Sequence, residues 1–194
     1  MYKYFFKRIF DVVLSLCLLP FVLLVIIIVG IMIGLFDKGP LFYNAPRMGK
    51  GGKIFYMFKF RSMKVNSLDL RNTDGSTFNS EDDPRVTPVG RFLRKTSIDE
   101  LPQILNVLKG DMSFVGPRPS LTTTPYSAYS EIRKKRVSVR PGVTGYSQAY
   151  FRNSISQEEK FSYDCEYVDR VSFSLDVKVL CQTFIGVLRR DNIY

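Results

Sequence analysis

The sequence predicts a helix-rich α+β protein that consists of an apolar N-terminal helix and one small domain with a short β-sheet. Val12–Phe36 contains no charged residue, the segment 53–61 is short and rich in aromatic residues, and several later segments carry apolar residues at helical spacing. A chain of 194 residues has room for one domain of ordinary size and an appendage.

The apolar segment has the length of a membrane helix. As a straight helix it would be about 37 Å long, against about 30 Å for the hydrocarbon core of a bilayer. A cleaved signal peptide is disfavoured, because the apolar run is too long and no small-x-small cleavage site follows it. We therefore expect a membrane anchor over residues 1–37 and a second domain over residues 38–194.

Two topologies are open for this anchor. Basic residues flank it on both sides, with Lys7 and Arg8 before it and Lys38 and Arg47 after it, and the positive-inside rule then places both ends in the cytoplasm. Pro20 removes a helix hydrogen bond and permits a bend, so the segment can enter and leave through the same leaflet as a re-entrant hairpin. An ordinary single span that tolerates the proline is the alternative.

The remaining elements follow in order. Gly39 and Pro40 mark a turn, and 66–84 is polar enough to be a surface loop. Leu101, Ile104, Leu105 and Leu108 fit one face of a helix that ends at Gly110, and further helices are expected over 126–137, 157–168 and 175–190. The last helix carries an apolar stripe that either lies on the membrane or packs on the core, and its members are Val177, Leu180, Phe184, Val187 and Leu188.

Composition limits the chemistry. Lys and Arg number 28 and Asp and Glu 18, which gives a net charge of +10 and favours anionic partners such as nucleic acid, lipid head groups or phosphorylated small molecules. The chain has no histidine, so Ser-His-Asp and Cys-His mechanisms are excluded. Its three cysteines form no Cys-x-x-Cys pair. Carboxylates are therefore the natural catalytic candidates.

The densest group of candidates is the adjacent pair Asp99 and Glu100, which follows Arg94 and Lys95. Ionised carboxylates can attack phosphorus or hold a divalent cation. Ser97-x-x-Glu100 also has the form of a helix capping box, which would make the pair structural. Arg118 stands between two prolines, which suits it for bidentate phosphate contact, although an exposed turn is equally compatible.

An ordered set of motifs resembles the bacterial sugar transferases, and more narrowly the small monotopic phosphoglycosyl transferases that begin glycan assembly on polyprenyl phosphate. The resemblance extends from about Lys7 to Leu188. Its motifs are Lys7-Arg8-x-x-Asp11, Gly39-Pro40, Arg47-x-Gly49, Lys59-Phe-Arg-Ser-Met63, Asp99-Glu-Leu-Pro-Gln103, Asn106-Val-Leu-Lys-Gly-Asp-Met112, Val115-Gly-Pro-Arg-Pro119 and Arg140-Pro-Gly-Val-Thr-Gly145.

The resemblance implies transfer of a phosphosugar from a nucleoside diphosphate sugar, usually a UDP-sugar, to undecaprenyl phosphate. Asp99 would be the nucleophile that forms a covalent phosphosugar, and Glu100 would bind Mg²⁺. The remaining residues implied to bind substrate or phosphate are Lys59, Arg94, Arg118 and Arg152. A re-entrant anchor bent at Pro20, on the cytoplasmic face of the bacterial inner membrane, is implied as well. A homodimer is compatible with the resemblance, and nucleic acid is not an expected partner.

Departures from the family pattern concern the bend and the substrate. Leu19 precedes Pro20 where a serine is common, and Ala45, Phe151 and Gln157 replace a common Gln, Gly and Trp. Sugar specificity is therefore not inferred from the resemblance. The alternative function is a membrane-anchored binding or scaffold protein for anionic lipid, without catalysis. Such a binder needs basic residues but has no use for Asp99 and Glu100 among them.

Overall fold

The computed structural model describes residues 2–68, 70, 78, 80, 82–152 and 154–189. The predicted helix-rich α+β class is confirmed, with helices joined by short strands. The α-helices are α1 (Lys7–Met32), α2 (Pro88–Lys95), α3 (Gln103–Lys109), α4 (Glu131–Arg136), α5 (Tyr146–Tyr150), α6 (Gln157–Arg170) and α7 (Phe173–Arg189). The strands are β1 (Phe42–Met48), β2 (Ile54–Phe60), β3 (Ser113–Val115) and β4 (Gly142–Thr144).

The N-terminal segment is helical from Tyr2 to Asp37, because single π-helical turns extend α1 at both ends. Pro20 lies inside α1, and helix is assigned on both sides of it. By length and composition this helix could cross a membrane, a test that buried core helices and signal sequences also pass. The two arms of a re-entrant hairpin are not resolved as separate helices, so the hairpin stays a prediction.

One face of α1 is packed along its whole length. Buried residues recur at positions 11, 15, 22 and 29 of the helix and at Ile33 just beyond it, which places them in one stripe. Val22 belongs to the main core, and Val29 and Ile33 pack with Phe60 and Leu93 in a second cluster. The anchor therefore lies along the domain. Its outward side is apolar and exposed, including Leu16, Phe21, Leu24, Ile27, Ile28, Ile31, Leu35 and Phe36.

Both ends of the anchor are fastened to residues of the 38–194 segment. At the N-terminal end, the Lys7 ammonium pairs with the Asp176 carboxylate at 2.5 Å, and the Arg8 guanidinium donates to the carbonyls of Val107 and Leu108. These carbonyls lie in the last turn of α3, where the helix dipole favours a cation. At the C-terminal end, the Thr87 hydroxyl donates to the carboxylate of Asp37 at 2.7 Å.

The first sheet is an antiparallel hairpin of β1 and β2 in register from Phe42 opposite Phe60 to Met48 opposite Ile54. This confirms the strand predicted over 53–61. Asn106 of α3 is fully buried against this hairpin, where its amide donates to the Tyr56 carbonyl at 2.8 Å and accepts from the Phe58 N–H at 2.9 Å. The Asn106 side chain thus forms hydrogen bonds with the backbone of β2, in the way that the backbone of a neighbouring strand would. A second sheet pairs β3 with β4 in parallel.

The predicted end of α3 is confirmed, because Gly110 caps it with a φ of 97° that favours glycine. The prediction of which residues form the buried face of α3 was only partly right. Ile104 is buried, but Leu101, Leu105 and Leu108 are half-exposed, and the other buried positions are Gln103, Asn106 and Val107.

The later helices are near their predicted bounds. The 126–137 segment forms a 3₁₀ turn and α4, and the 157–168 helix runs to Arg170. Most of the 71–81 part of the predicted surface loop lies outside the described residues.

Three members of the apolar stripe predicted on α7 face outward, whereas Leu180 is partly buried and packs against the main core, as one of the two predicted alternatives required. Val177, Phe184 and Val187 are 36%, 66% and 39% exposed, so packing of these residues on the core is wrong. The reason is that other residues form the inward face: Val179 is fully buried in the main core, Asp176 is fully buried with its cationic partner, and Gly186 is buried against Arg152. The side chain of Leu188 lies outside the described residues. Membrane contact of this stripe stays a prediction.

Candidate active site

The acidic pair lies on a single 3₁₀ turn, Ile98–Glu100, between α2 and α3. Ser97 precedes this turn with a φ of 57°, and its side chain makes no capping hydrogen bond. The capping-box interpretation of Ser97 and Glu100 is therefore wrong. The left-handed residue instead turns the chain sharply out of α2, so that both carboxylates face β2.

Lys59 of β2 joins the two carboxylates. Its ammonium lies 2.7 Å from Oε1 of Glu100 and 3.4 Å from Oδ2 of Asp99. Arg118, in the loop that follows β3, reaches the same Glu100 oxygen with Nη2 at 3.5 Å. Three segments that are far apart in sequence thus supply two adjoining anions and two cations, and Arg118 keeps a half-exposed side chain that solvent or substrate can reach.

The pKa values of the two carboxyl groups are shifted in opposite directions. Asp99 is only 8% exposed, and burial raises the pKa of Asp99, with the Glu100 charge adding to the rise and Lys59 and Arg94 opposing it. Burial acts on Glu100 in the same direction, but Lys59 and Arg118 outweigh it and hold the pKa of Glu100 at about 2. The cations thus favour the anionic form of Glu100, whereas Asp99 is a poorly solvated carboxyl group, and a carboxylate with little solvation is suited to attack an electrophile.

Ser62, a residue to which the sequence assigned no role, positions Arg94. The Arg94 Nε donates to the Ser62 hydroxyl at 3.0 Å. Gly90, one turn earlier in α2, packs on the backbone of Ser62 so closely that a Cβ would lie 2.0 Å from the carbonyl oxygen. Ser62 lies within the motif that begins at Lys59, but a serine beside basic residues carries no signal of this role by itself.

Arg152 follows α5 with a φ of 47°. Its guanidinium lies against α7, where a Cβ built on Gly186 would be 2.7 Å from Nη2. The structure therefore brings together Lys59, Asp99, Glu100 and Arg118, with Arg94 near enough to lower the pKa of Asp99. The contact that it gives for Arg152 is with α7.

The donor set is compatible with Mg²⁺ bound jointly with substrate. No group of three or more Cys, Asp or Glu side chains suited to a metal occurs among the described residues, and the carboxylates that this site offers to a metal are those of Asp99 and Glu100. Mg²⁺ characteristically takes one or two carboxylates, with phosphate oxygens and water completing its shell. The pair fits that requirement, and it does not fit a closed metal cage.

Comparison with known proteins gives a consistent result. The family model described as bacterial sugar transferase matches residues 2–190. An uncharacterized sugar transferase, EpsL of Bacillus subtilis, is 43% identical over 96% of this chain and 89% of its own length.

Two longer relatives carry more specific names. The undecaprenyl-phosphate galactose phosphotransferase of Salmonella typhimurium is 39% identical over 98% of this chain and 42% of its own length. The UDP-glucose:undecaprenyl-phosphate glucose-1-phosphate transferase of Escherichia coli is 38% identical over 91% of this chain and 39% of its own length. The chain thus spans less than half of these longer relatives. Its sequence, from the anchor to the last helix, belongs to the bacterial sugar transferase family.

Proposed function

We propose that this protein transfers a sugar 1-phosphate from a UDP-sugar to undecaprenyl phosphate, which gives undecaprenyl diphosphate sugar and UMP. The observation that carries the proposal is the buried Asp99 carboxylate held beside Glu100, Lys59 and Arg118. The names of the longer relatives support both substrates. The reaction would be the first membrane step in the assembly of a glycoconjugate.

In the first step, an oxygen of the Asp99 carboxylate attacks the sugar-bearing phosphorus of the donor. The bond from that phosphorus to the bridging oxygen breaks, UMP leaves with the electron pair, and the phosphosugar remains on Asp99 as an acyl phosphate. Burial supports this role, because a carboxylate with little solvation has less water to lose before it attacks. No histidine is needed, which agrees with the composition.

In the second step, a phosphate oxygen of undecaprenyl phosphate attacks the same phosphorus and Asp99 is released as a carboxylate. Lys59 and Arg118 compensate negative charge at the reacting phosphate, and Arg94, oriented by Ser62, adds to this. Glu100 would hold Mg²⁺, which when bound neutralises charge on the diphosphate. We assign Arg152 to substrate binding because the family resemblance places a substrate-contacting arginine at this position; in the structure its guanidinium lies against α7.

The anchor is proposed to be re-entrant, bent at Pro20, on the cytoplasmic face of the inner membrane. Two features of the structure support this. Both ends of the anchor contact the same domain, through Asp176 at one end and Thr87 at the other. The outward sides of α1 and α7 are apolar, so they form a surface that lipid can cover.

The test is UMP release from a panel of UDP-sugars by the purified chain with Mg²⁺ and undecaprenyl phosphate. Asp99→Asn should abolish release, and intact-mass measurement without the acceptor should show a phosphosugar adduct on the wild type that the variant lacks. Asp169→Asn is the matched control, because it removes an exposed carboxylate paired only with Lys135 at the surface. An Asp99→Asn variant that still turns over would refute the nucleophile, and a wild type inactive with every donor would favour the scaffold alternative.

A further inference from the structure

A second cationic pocket lies at the other end of α3 from Asp99 and Glu100. It is an open depression with about 480 Å³ of space, solvent at its mouth included, and its lining includes the N-terminal end of the anchor, the loop at Lys50, strand β3 and the Ser138–Arg140 segment. Arg8 connects the pocket to the C-terminal turn of α3 through its bonds to two carbonyls. No residue of the candidate active site lines it. Its basic members are Lys3, Lys7, Arg8, Lys50 and Arg140.

The charge of this pocket is largely uncompensated. Its one carboxylate, Asp11, is 1% exposed and is occupied by the Ser113 hydroxyl and the Phe114 N–H, each at 3.0 Å. Asp176, which is not part of the lining, neutralises Lys7. The pocket therefore keeps an excess of positive charge over its single anion.

The other basic side chains are oriented without being neutralised. Lys3, Arg8 and Arg140 donate to backbone carbonyls, with Lys3 2.8 Å from the Val168 oxygen and Arg140 2.8 Å from the Gly110 oxygen. A carbonyl positions a cation but carries no net charge to cancel it. The ammonium of Lys50 has no hydrogen-bond or ion-pair partner among the residues that the structure describes. Such an arrangement suits a phosphate group with more than one oxygen to share.

The mouth of the pocket is apolar where it meets the anchor. Tyr4 lines the pocket and is 80% exposed, and Phe5 and Phe6 beside it are 59% and 48% exposed. These side chains continue the outward apolar side of α1. A ligand with an anionic phosphate and hydrocarbon chains can bind the basic side chains of the pocket and pack on these aromatic side chains at the same time. Free phosphate can bind the basic side chains only.

We propose that this pocket binds the phosphate head group of an anionic phospholipid, which rests on the membrane attachment in the proposed function. The ligand is a resident lipid and not the acceptor substrate. The acceptor phosphate must reach the phosphorus on Asp99, and the pocket lies beyond the far end of α3. Binding there would tie the N-terminal end of the anchor to the lipid surface at a fixed depth.

The experiment is a thermal-shift titration of the full chain in neutral detergent, with dioctanoyl phosphatidylglycerol, the zwitterionic dioctanoyl phosphatidylcholine, and inorganic phosphate as separate ligands. Phosphatidylglycerol should stabilise the wild type saturably, and Lys50→Glu should weaken its apparent affinity at least about fivefold, the value of one basic side chain near anionic lipid. Lys53→Glu is the matched control, because it makes the same charge change in the same loop but does not line the pocket. Its affinity should stay within about twofold of wild type.

Three outcomes would overturn the proposal: equal weakening by both variants, no preference for phosphatidylglycerol over phosphatidylcholine, or Lys50-dependent binding of inorganic phosphate as tight as that of the lipid. Failure of the proposed function is read separately, from UMP release. Lys50→Glu should release UMP at the wild-type rate in phospholipid-free detergent, since Lys50 touches none of the residues around Asp99.

Discussion

Replacing Asn106 with leucine tests how α3 and β2 are held together beneath the active site. Asn106 is fully buried, and two of its side-chain hydrogen bonds reach the backbone of Tyr56 and Phe58 at 2.8 and 2.9 Å, while a third, of 3.4 Å, goes to the Asp111 carboxylate. Leucine has a similar size but neither a donor nor an acceptor. The substitution would leave a partly buried carbonyl and a partly buried N–H of β2 without these partners.

The magnitude follows from those two groups. A polar group left without a partner inside the protein costs about 1–3 kcal/mol, so the pair gives a loss of about 2–6 kcal/mol in the free energy of unfolding. For a domain of this size about 1 kcal/mol corresponds to about 2–4 °C, so the melting temperature should fall by about 4–24 °C. Lys59 follows Phe58 directly in β2, and UMP release should fall as well because the Lys59 ammonium loses its fixed place beside Glu100.

The assay is thermal unfolding in detergent, with UMP release measured well below the melting temperature of the variant. Asn44→Leu is the control, since Asn44 is the exposed cross-strand partner of Phe58 in the same hairpin. Asn44→Leu should shift the melting temperature by less than about 2 °C, in line with an exposed substitution. An Asn106→Leu variant that melts within the same 2 °C of wild type would refute the assigned role of these hydrogen bonds.

Two further predictions concern the nucleophile and the anchor. Because burial raises the pKa of Asp99 in the folded state, ionisation of Asp99 destabilises the fold, and this loss of stability develops as the pH rises through the raised pKa. Asp99→Asn should therefore have a higher melting temperature than wild type at pH 8, and the difference should shrink toward pH 4. A variant less stable than wild type at pH 8 would contradict the burial argument. In a chain whose Cys17, Cys165 and Cys181 are serine, single cysteines at Tyr4 and Lys53 should both react with a membrane-impermeant thiol reagent only from the cytoplasmic side, whereas reaction from opposite sides would establish a single span.

The sequence was most informative where local chemistry decides the structure. The aromatic strand and the glycine that ends α3 were predictable from patterns of a few residues, and the family motifs selected Asp99 and Glu100. Long-range partners were not. Lys59 and Glu100 are 41 positions apart in the sequence, and Asn106 and Phe58 are 48 positions apart, yet each pair is hydrogen-bonded. No local sequence pattern predicts either contact.

The outward stripe of α7 shows a second kind of limit. Apolar periodicity establishes that a helix has an apolar side but not which medium covers that side. Here the inward face of α7 holds Val179, which is buried in the main core, and Asp176, which is buried because Lys7 and two tyrosine hydroxyls bond to it. Periodicity does not predict a buried carboxylate on such a face, and only its distant partners reveal it.

The bonds from Tyr2 and Lys7 to Asp176 also constrain the order of events during synthesis. These partners are 174 and 169 positions apart, so a ribosome must complete nearly the whole chain before the first turn of the anchor gains its carboxylate. The proposed insertion of the apolar segment into lipid would therefore come before the folding of the domain that holds it. A chain that ends before α7 would leave Lys7 without its carboxylate partner.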